Sequence, residues 1–312
     1  MNLTVLICTY NRGNLIYGTL QSLIEEQELP PDEIVVVNGG GPNDCFAAVE
    51  YWRARFPGLK HIKTKNINLA ASRNIGLSHC SGAIVLQTDD DARPFPDWVK
   101  RMKEAHEKFP NAGVIGGEVV DASGRGLLFT VAGAVTFPWY GSIKEVRTVP
   151  GVNASYKKEL IEQVGDYNTA LFRGEDVDYN WRAIKAGWKI LYVPGICVYH
   201  CHRPTWTGLL YQHFMYGRAY YLVRRQWPDM YSVYPRSFRS ARDLARMIYF
   251  LISPVHNSII RLKRIKGWAN RLFAFLPAIG VGYMWMTGVF VQLFQTLCKN
   301  VFFFGRHPMR LF

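Results

Sequence analysis

Ala83-Ile84-Val85-Leu86-Gln87-Thr88-Asp89-Asp90-Asp91 is the stretch on which the reading of the fold turns. Its apolar start, without polar alternation, suits a parallel strand buried on both faces. The acids then stand at the carboxyl edge of the sheet, where open α/β sheets bind ligands. Adjacent anions repel one another, and a divalent cation relieves that repulsion. Magnesium and manganese prefer one or two carboxylates plus phosphate oxygens, so the triplet points to a metal together with a phosphorylated ligand. Taken alone, the triplet is read more readily as a solvated turn, because acidic turns are common.

Working outward, apolar runs at 3–8, 33–37, 59–63 and 83–87 read as strands, alternating with helix-like stretches at 14–26, 44–56 and 70–79. A helix over 98–109 and a strand over 113–119 follow. The alternation predicts an α/β fold with a Rossmann-like, mostly parallel central sheet flanked by helices. Beyond Val120 the pattern loosens among Gly124, Gly126, Gly133 and Gly141, in a stretch that either lines an acceptor groove or covers the sheet. Helices are expected over 156–164 and 175–186, a strand over 189–193, and an apolar-striped helix over 205–225.

With 312 residues and 49% hydrophobic content, the chain is too apolar to be disordered. Its net charge, 37 − 24 = +13, is unevenly placed: from Arg236 onward twelve Lys or Arg stand against the single acid Asp243, leaving +2 for everything before. Such a surplus attracts nucleic acid or anionic lipid. The neighbouring residues choose between them. Residues 272–298 carry no formal charge, and about twenty apolar residues suffice to cross a bilayer. Arg261, Lys263, Arg264, Lys266 and Arg271 precede this run, and Lys299, Arg306 and Arg310 follow it. The expected partner is therefore an anionic membrane surface and not nucleic acid. Pro277, Gly280 and Gly282 interrupt the run, so a spanning helix and a re-entrant or interface-lying pair both remain open. A buried helix or a homo-oligomer contact is the bland reading of the same residues. The patch 247–260 is expected at the interface. On these grounds 1–225 is expected to form the catalytic domain and 226–312 a helical membrane-associating extension. Met1 leads directly into the first strand, which predicts a catalytic domain on the cytoplasmic side, at the inner leaflet of the plasma membrane. The six cysteines show no regular framework and suit reduced thiols.

Polar residues gather where the strands end. Thr9-Tyr10-Asn11-Arg12 follows the first strand and Asn38-Gly39-Gly40-Gly41 the second, where glycines admit a ligand close to the backbone. Ser72-Arg73-Asn74 opens a helix whose N-terminus and guanidinium suit an anion. Gly174-Glu175-Asp176 begins a later helix, and a carboxylate there can accept a proton from an incoming hydroxyl. His200-Cys201-His202 lies downstream, where an imidazole can complete a metal shell. Cys197, His200, Cys201 and His202 fall within six residues, a spacing that fits one tetrahedral zinc poorly.

In order and register across 1–225, these pieces resemble the family 2 glycosyltransferases of GT-A fold, inverting enzymes that use nucleotide sugars. The matching segments are Thr9-Tyr10-Asn11-Arg12, Ala70-Ala71-Ser72-Arg73-Asn74-Ile75-Gly76, Asp89-Asp90-Asp91, Gly174-Glu175-Asp176, and His200 after a Tyr-Val-Pro strand. The resemblance implies Asp176 as general base with Glu175 beside it. It further implies Asp91, Asp89 and His200 as ligands of Mn2+ or Mg2+, and a donor pocket formed by Thr9, Tyr10, Asn11, Arg12, Asn38, Arg73, Asn74, Asp89 and Asp90. The donor would be a UDP-, GDP- or dTDP-sugar and the acceptor a lipid-linked molecule or a glycan. Asn38 departs from the aspartate usual at its position, leaving the nucleotide open. Two other readings compete: a sugar nucleotidyltransferase, which would release pyrophosphate, and a noncatalytic membrane scaffold, which would release no nucleoside diphosphate.

Overall fold

The computed structural model describes residues 1–234 and 240–304. Arg236, Arg239, Arg306 and Arg310 of the basic surplus lie outside the described residues. The chain divides into two compact units, Met1–Gly124 with Phe137–His202, and Arg125–Thr136 with Arg203–Phe312.

The first unit is built on a nine-stranded sheet. Strands β1 (Leu3–Thr9), β2 (Glu33–Asn38), β3 (Leu59–Lys63) and β4 (Ile84–Asp89) alternate with helices α1 (Gly13–Ile24), α2 (Phe46–Arg53) and α3 (Leu69–His79). β1 pairs in parallel with β2 and β4, and β2 with β3. Val5, Leu6, Ile7, Val35, Val36 and Val37 are fully buried, as strands covered by helices on both faces require. Short β5 (Ala92–Pro94) leads to α4 (Trp98–Lys108), β6 (Ala112–Asp121), helix α5 (Leu127–Val135) and β7 (Lys144–Glu145). One turn of 3-10 helix, Gly151–Asn153, precedes β8 (Ala154–Lys157), α6 (Lys158–Val164), α7 (Glu175–Lys185) and β9 (Lys189–His200). The strand order is β3-β2-β1-β4-β8-β6-β9-β5, with β7 on the side of β9. The sheet is thus parallel in its first half and mixed in its second, where β8 runs antiparallel between β4 and β6.

Two expectations change here. Tyr156 belongs to strand β8, and its helix starts only at Lys158. Ser155 sits opposite both Leu86 and Ile115 and donates its hydroxyl to the Ile115 carbonyl at 3.0 Å, so backbone pairing on both edges overrides the local pattern. The strand expected to stop at Val193 continues to His200, because β9 crosses an irregularity at Gly195 (φ +83°) and resumes its pairing with β6.

The second unit is helical. It joins α5 to α8 (Trp206–Gln226), α9 (Ala241–Leu262) and α10 (Trp268–Phe304). The loosened stretch after Val120 is therefore partly helix α5, whose Val131, Ala132 and Val135 pack with Leu209, Leu262, Ala274 and Ala278. α8, read from sequence as the end of the catalytic region, belongs to this unit. α10 runs unbroken through Pro277, Gly280 and Gly282. Gly282 accommodates α9: a Cβ there would lie 2.8 Å from that of Pro254. α8 and α10 meet backbone to backbone, since a Cβ on Gly217 would fall 1.8 Å from the Trp285 carbonyl and one on Gly288 2.0 Å from that of Phe214.

Gly217→Ala or Gly288→Ala should therefore force the helices apart, at a cost of about 1–3 kcal/mol. Gly280, where a Cβ would meet nothing within 4 Å among the described residues, supplies the control. Gly280→Ala should raise stability by roughly 0.5–1 kcal/mol through helix propensity. Thermal denaturation of the three variants, monitored by helical circular dichroism, checks the opposite signs.

Candidate active site

Register brings the strand-end residues to one edge. Thr9 pairs with Asn38 across β1 and β2, and Cys8 with Asp89 across β1 and β4. Asp90 turns inward and is 4% exposed. Thr9 Oγ1 donates to its Oδ2 at 2.7 Å and Arg12 Nη1 to its Oδ1 at 3.1 Å. Arg12 Nη1 also reaches Asp91 Oδ2 at 2.9 Å. Lost hydration raises the Asp90 pKa, and the Thr9 and Arg12 contacts oppose that rise.

Asp89 and Asp91 stand on either side of this anchored residue. β5 pairs antiparallel with β9, setting Ala92 opposite His200, so His200 arrives beside the triplet. His200 Nε2 is 3.4 Å from Asp91 Oδ1. Phe137 backs the imidazole edge-on, with ring centroids 5.2 Å apart. One ligand atom each from Asp89, Asp91 and His200 lies within 4.8 Å of the others. Among the described residues the buried Asp91 Oδ1 has no hydrogen-bond partner. Two hard oxygens and one imidazole nitrogen, with an acceptor oxygen left over, fit a Mn2+ or Mg2+ that keeps positions for phosphate. Lost hydration, then repulsion from Asp91, pushes the half-buried Asp89 up to about 7.

Behind these acids Arg73 of α3 and Glu175 of α7 form a buried ion pair, 3% and 6% exposed. Arg73 Nη2 is also 4.0 Å from Asp89 Oδ1. Burial opposes the Arg73 charge, but Glu175 holds its pKa above the ordinary value. α7 starts after Gly174, whose φ of +78° favours glycine, and the first turn then presents Glu175 and Asp176. Asp176 Oδ1 accepts from the Val177 N–H at 2.8 Å, and Oδ2 stands 3.4 Å from the Gly151 nitrogen.

The expected donor residues divide in their placement. The Thr9–Arg12 and Gly39–Gly41 loops are tied together: Gly39 N donates to Thr9 O and Asn11 N to Gly40 O, both at 2.9 Å. Asn11, at φ +56°, uses its side-chain oxygen to accept from Asn43 N at 2.7 Å. Tyr10 is exposed. Asn38 donates to Asp44 Oδ1 at 2.7 Å and accepts from Gly40 N at 2.8 Å, so the nearest carboxylate in that loop comes from Asp44. Asn74 is turned elsewhere, donating to Tyr167 O at 3.0 Å and accepting from Tyr167 N at 2.7 Å. Arg73 faces Glu175 and does not stand free at the helix start. Residues the sequence reading missed include Gln87, which donates to Gly151 O at 3.0 Å and accepts from Tyr167 Oη at 3.1 Å. The polar Gln87 inside an apolar strand was the available signal. Phe137 carried none.

A parallel α/β half, a mixed second half and a carboxylate-histidine cluster at the strand ends agree with what the resemblance to GT-A glycosyltransferases implies. A model described as glycosyl transferase family 2 matches residues 4–164, about half the sequence, and the chain belongs to that family. The glucosyl-dolichyl phosphate glucuronosyltransferase of Haloferax volcanii is 24% identical over 315 residues, covering 91% of this chain and 96% of that protein. The N-acetylglucosaminyl-diphospho-decaprenol L-rhamnosyltransferase of Mycobacterium tuberculosis is 27% identical, covering 66% of this chain and 78% of its own length. Among solved structures, the mannosyltransferase PcManGT from Pyrobaculum calidifontis, in complex with GDP-Man and Mn2+, superposes with a TM-score of 0.66 at 18% identity. That match covers 94% of this chain and 87% of the other and shows a shared fold.

Arg73→Met leaves Glu175 buried without its counter-ion and should destabilise the protein by about 3–5 kcal/mol. Adding Glu175→Gln should restore part of that loss, a coupling that a double-mutant cycle in urea measures. The pH dependence of the metal-free protein has a definite sign. An aspartate at the ordinary value of 3.8 is ionised in the unfolded chain while folded Asp89 holds its proton to about 7. The folded state binds more protons across that interval, so Asp89 makes stability fall as pH rises through it. Metal binding needs the carboxylate and should tighten over the same interval. The rise in Tm caused by Mn2+ should be larger at about pH 8 than at about pH 6, and Asp89→Asn should flatten the difference.

Proposed function

We propose that the protein transfers a sugar, with inversion, from a nucleoside diphosphate sugar to a hydroxyl of a lipid-linked acceptor. The observation that carries this reading is the convergence of Asp89, Asp91 and His200 within 4.8 Å. Arg73 supports it by linking that cluster to the α7 acids through Glu175 and Asp89. Lipid-linked acceptors are favoured by the activities named for the H. volcanii and M. tuberculosis relatives, and an apolar helix long enough to cross a bilayer is consistent with work at a membrane. Catalysis is assigned to the α/β unit and membrane attachment to the helical one. The catalytic unit is proposed to face the cytoplasm, whose reducing conditions suit free cysteines such as buried Cys45, Cys80 and Cys197.

Inversion requires the acceptor oxygen to attack the anomeric carbon from the face opposite the departing nucleoside diphosphate. Asp176 takes the proton from that oxygen as the new C–O bond forms, its carboxylate oriented by the Val177 amide. Glu175 is held by Arg73 and does not compete for the proton. Asp89, Asp91 and His200 would hold a Mn2+ or Mg2+, which supplies charge to neutralise the leaving diphosphate. Asp90 is held by Thr9 and Arg12, and Arg12 ties it to the metal-binding carboxylate of Asp91. The Thr9–Arg12 and Gly39–Gly41 loops receive the nucleotide, with UDP, GDP and dTDP as candidates.

A donor panel with manganese and polyprenyl-linked acceptors, read by nucleoside diphosphate release, tests the whole reading; pyrophosphate release instead would replace it with nucleotidyl transfer. Asp176→Asn should lower turnover by about 100- to 10,000-fold while calorimetric donor affinity is kept. Turnover near that of the unmodified enzyme removes Asp176 as base. Asp91→Ala should abolish the manganese-dependent part of donor binding.

A further inference from the structure

We propose that α9 and α10 form a monotopic anchor, their outward apolar stripes lying in one leaflet of an anionic bilayer, with α10 not crossing it. The stripe on α9 is made by Leu244, Ile248, Leu251, Ile252 and Ile259, each more than 40% exposed. Their spacing puts them on one arc of the helix. Arg242 and Arg246 fall on the opposite arc, while Phe250, Pro254, Ser258 and Leu262 form the packed face. α9 therefore carries an apolar arc, a polar arc and a buried arc, the pattern of a helix lying in an interface.

α10 repeats the arrangement. Trp268, Leu272, Phe273, Leu276, Phe294 and Leu297 are exposed and share one arc along the helix, uninterrupted by charge from 272 to 298. The two stripes join where Tyr283 Oη donates to the Leu251 carbonyl at 3.4 Å. Trp268 is 78% exposed at the start of α10, next to Lys263, Lys266 and Arg271. An amphipathic indole amid cations suits the headgroup level.

The opposite side of α10 argues against crossing. Arg218 of α8 donates through Nε to Gln292 Oε1 at 2.9 Å and through Nη2 to Gln295 Oε1 at 3.0 Å. The same two helices touch backbone to backbone at Gly217 and Gly288. A spanning α10 would draw Arg218 and both glutamines toward hydrocarbon, which is costly for an arginine. With one leaflet only, they remain on the aqueous side. A second copy is also the wrong partner: between residues 240 and 298 seven Lys or Arg stand against the single acid Asp243, a surplus that repels its like and that anionic lipid complements.

The anchor gives the proposed lipid-linked acceptor a common surface with the enzyme, but binding is measured without donor or turnover. Failure of catalysis and failure of the anchor are thus separate results. Full-length protein is floated with phosphatidylcholine vesicles with or without about 30% phosphatidylglycerol. Wild type should float with the anionic vesicles. Ile248→Asp with Ile252→Asp, and Phe273→Asp with Leu276→Asp, should each lower partitioning by about tenfold or more while circular dichroism stays unchanged. Partitioning of these variants equal to wild type overturns the proposal, as does a wild-type dimer that only the variants dissociate. Topology is read separately in sealed membrane vesicles. Asn270→Cys and Lys299→Cys should react with impermeant maleimide from the same side, mapped by peptide mass. Labelling from opposite sides means that α10 crosses, and the anchor fails.

Discussion

Charge crowding at the end of β4 is the constraint that orders the α/β unit. Asp89, Asp90, Asp91, Glu175 and Asp176 are drawn toward one region, and Arg12 and Arg73 are the guanidiniums set against them. The two arginines act at different depths. Arg73 is buried and locks α3, from the parallel half, to α7, from the mixed half, so breaking it leaves a charge that neither half can hydrate. Arg12 is nearer solvent and ties the first strand loop to Asp90 and Asp91. Asp89 still carries crowding that these pairs do not remove: lost hydration and repulsion from Asp91 raise its pKa on the side that faces His200. Stability is sacrificed locally where an added positive charge would restore it, a pattern typical of working sites.

Much of that architecture was readable because its cause is local. A strand buried on both faces writes itself as a continuous apolar run, so β1, β2 and β4 and the acids after Thr88 could be located from composition alone. The second half resisted for the opposite reason. β8 exists because β4 and β6 each lack a partner at that edge, a condition set by residues far away in sequence. His200 reaches Asp91 because β9 resumes after an irregularity, which a strand ending at Val193 would not allow. Hydrogen-bond allocation was equally hidden. Nothing in Ser72-Arg73-Asn74 reveals that Arg73 faces inward to Glu175 while Asn74 closes on the Tyr167 backbone. Both side chains suit an anion in isolation, and tertiary partners claim them.

The helical unit shows how an apolar run can be legible in composition yet undecided in meaning. Residues 272–298 satisfy the length and hydropathy of a spanning helix, and the interruptions at Pro277, Gly280 and Gly282 do not break it. Gly282 is explained by close packing against Pro254, and Gly288 by the Phe214 backbone. Gly282 and Gly288 serve close contacts on the inner arc, where Trp285 and Phe290 also pack against Phe250, while Trp268, Phe273 and Phe294 stand exposed on the outer one.

That asymmetry separates two causes of apolar sequence. A core helix is apolar because protein covers it, and the inner arc of α10, with Ala274, Ala278, Val281 and Val289 almost fully buried, fits that cause. The outer arc, from Trp268 to Leu297, has no such covering among the described residues, and neither does the Leu244 to Ile259 stripe of α9. Large contiguous apolar surface is unfavourable in water and is retained where another phase removes it. On the proposed anchor, the Arg218 guanidinium bonded to Gln292 and Gln295 sets polar groups beside the C-terminal part of the inner arc, where a crossing helix would carry them toward hydrocarbon. The proposed anchor thus assigns one face of α9 and α10 to lipid and the other to protein and water. A helix that divides its environment lengthwise lies along an interface; one that traverses it divides its environment end to end.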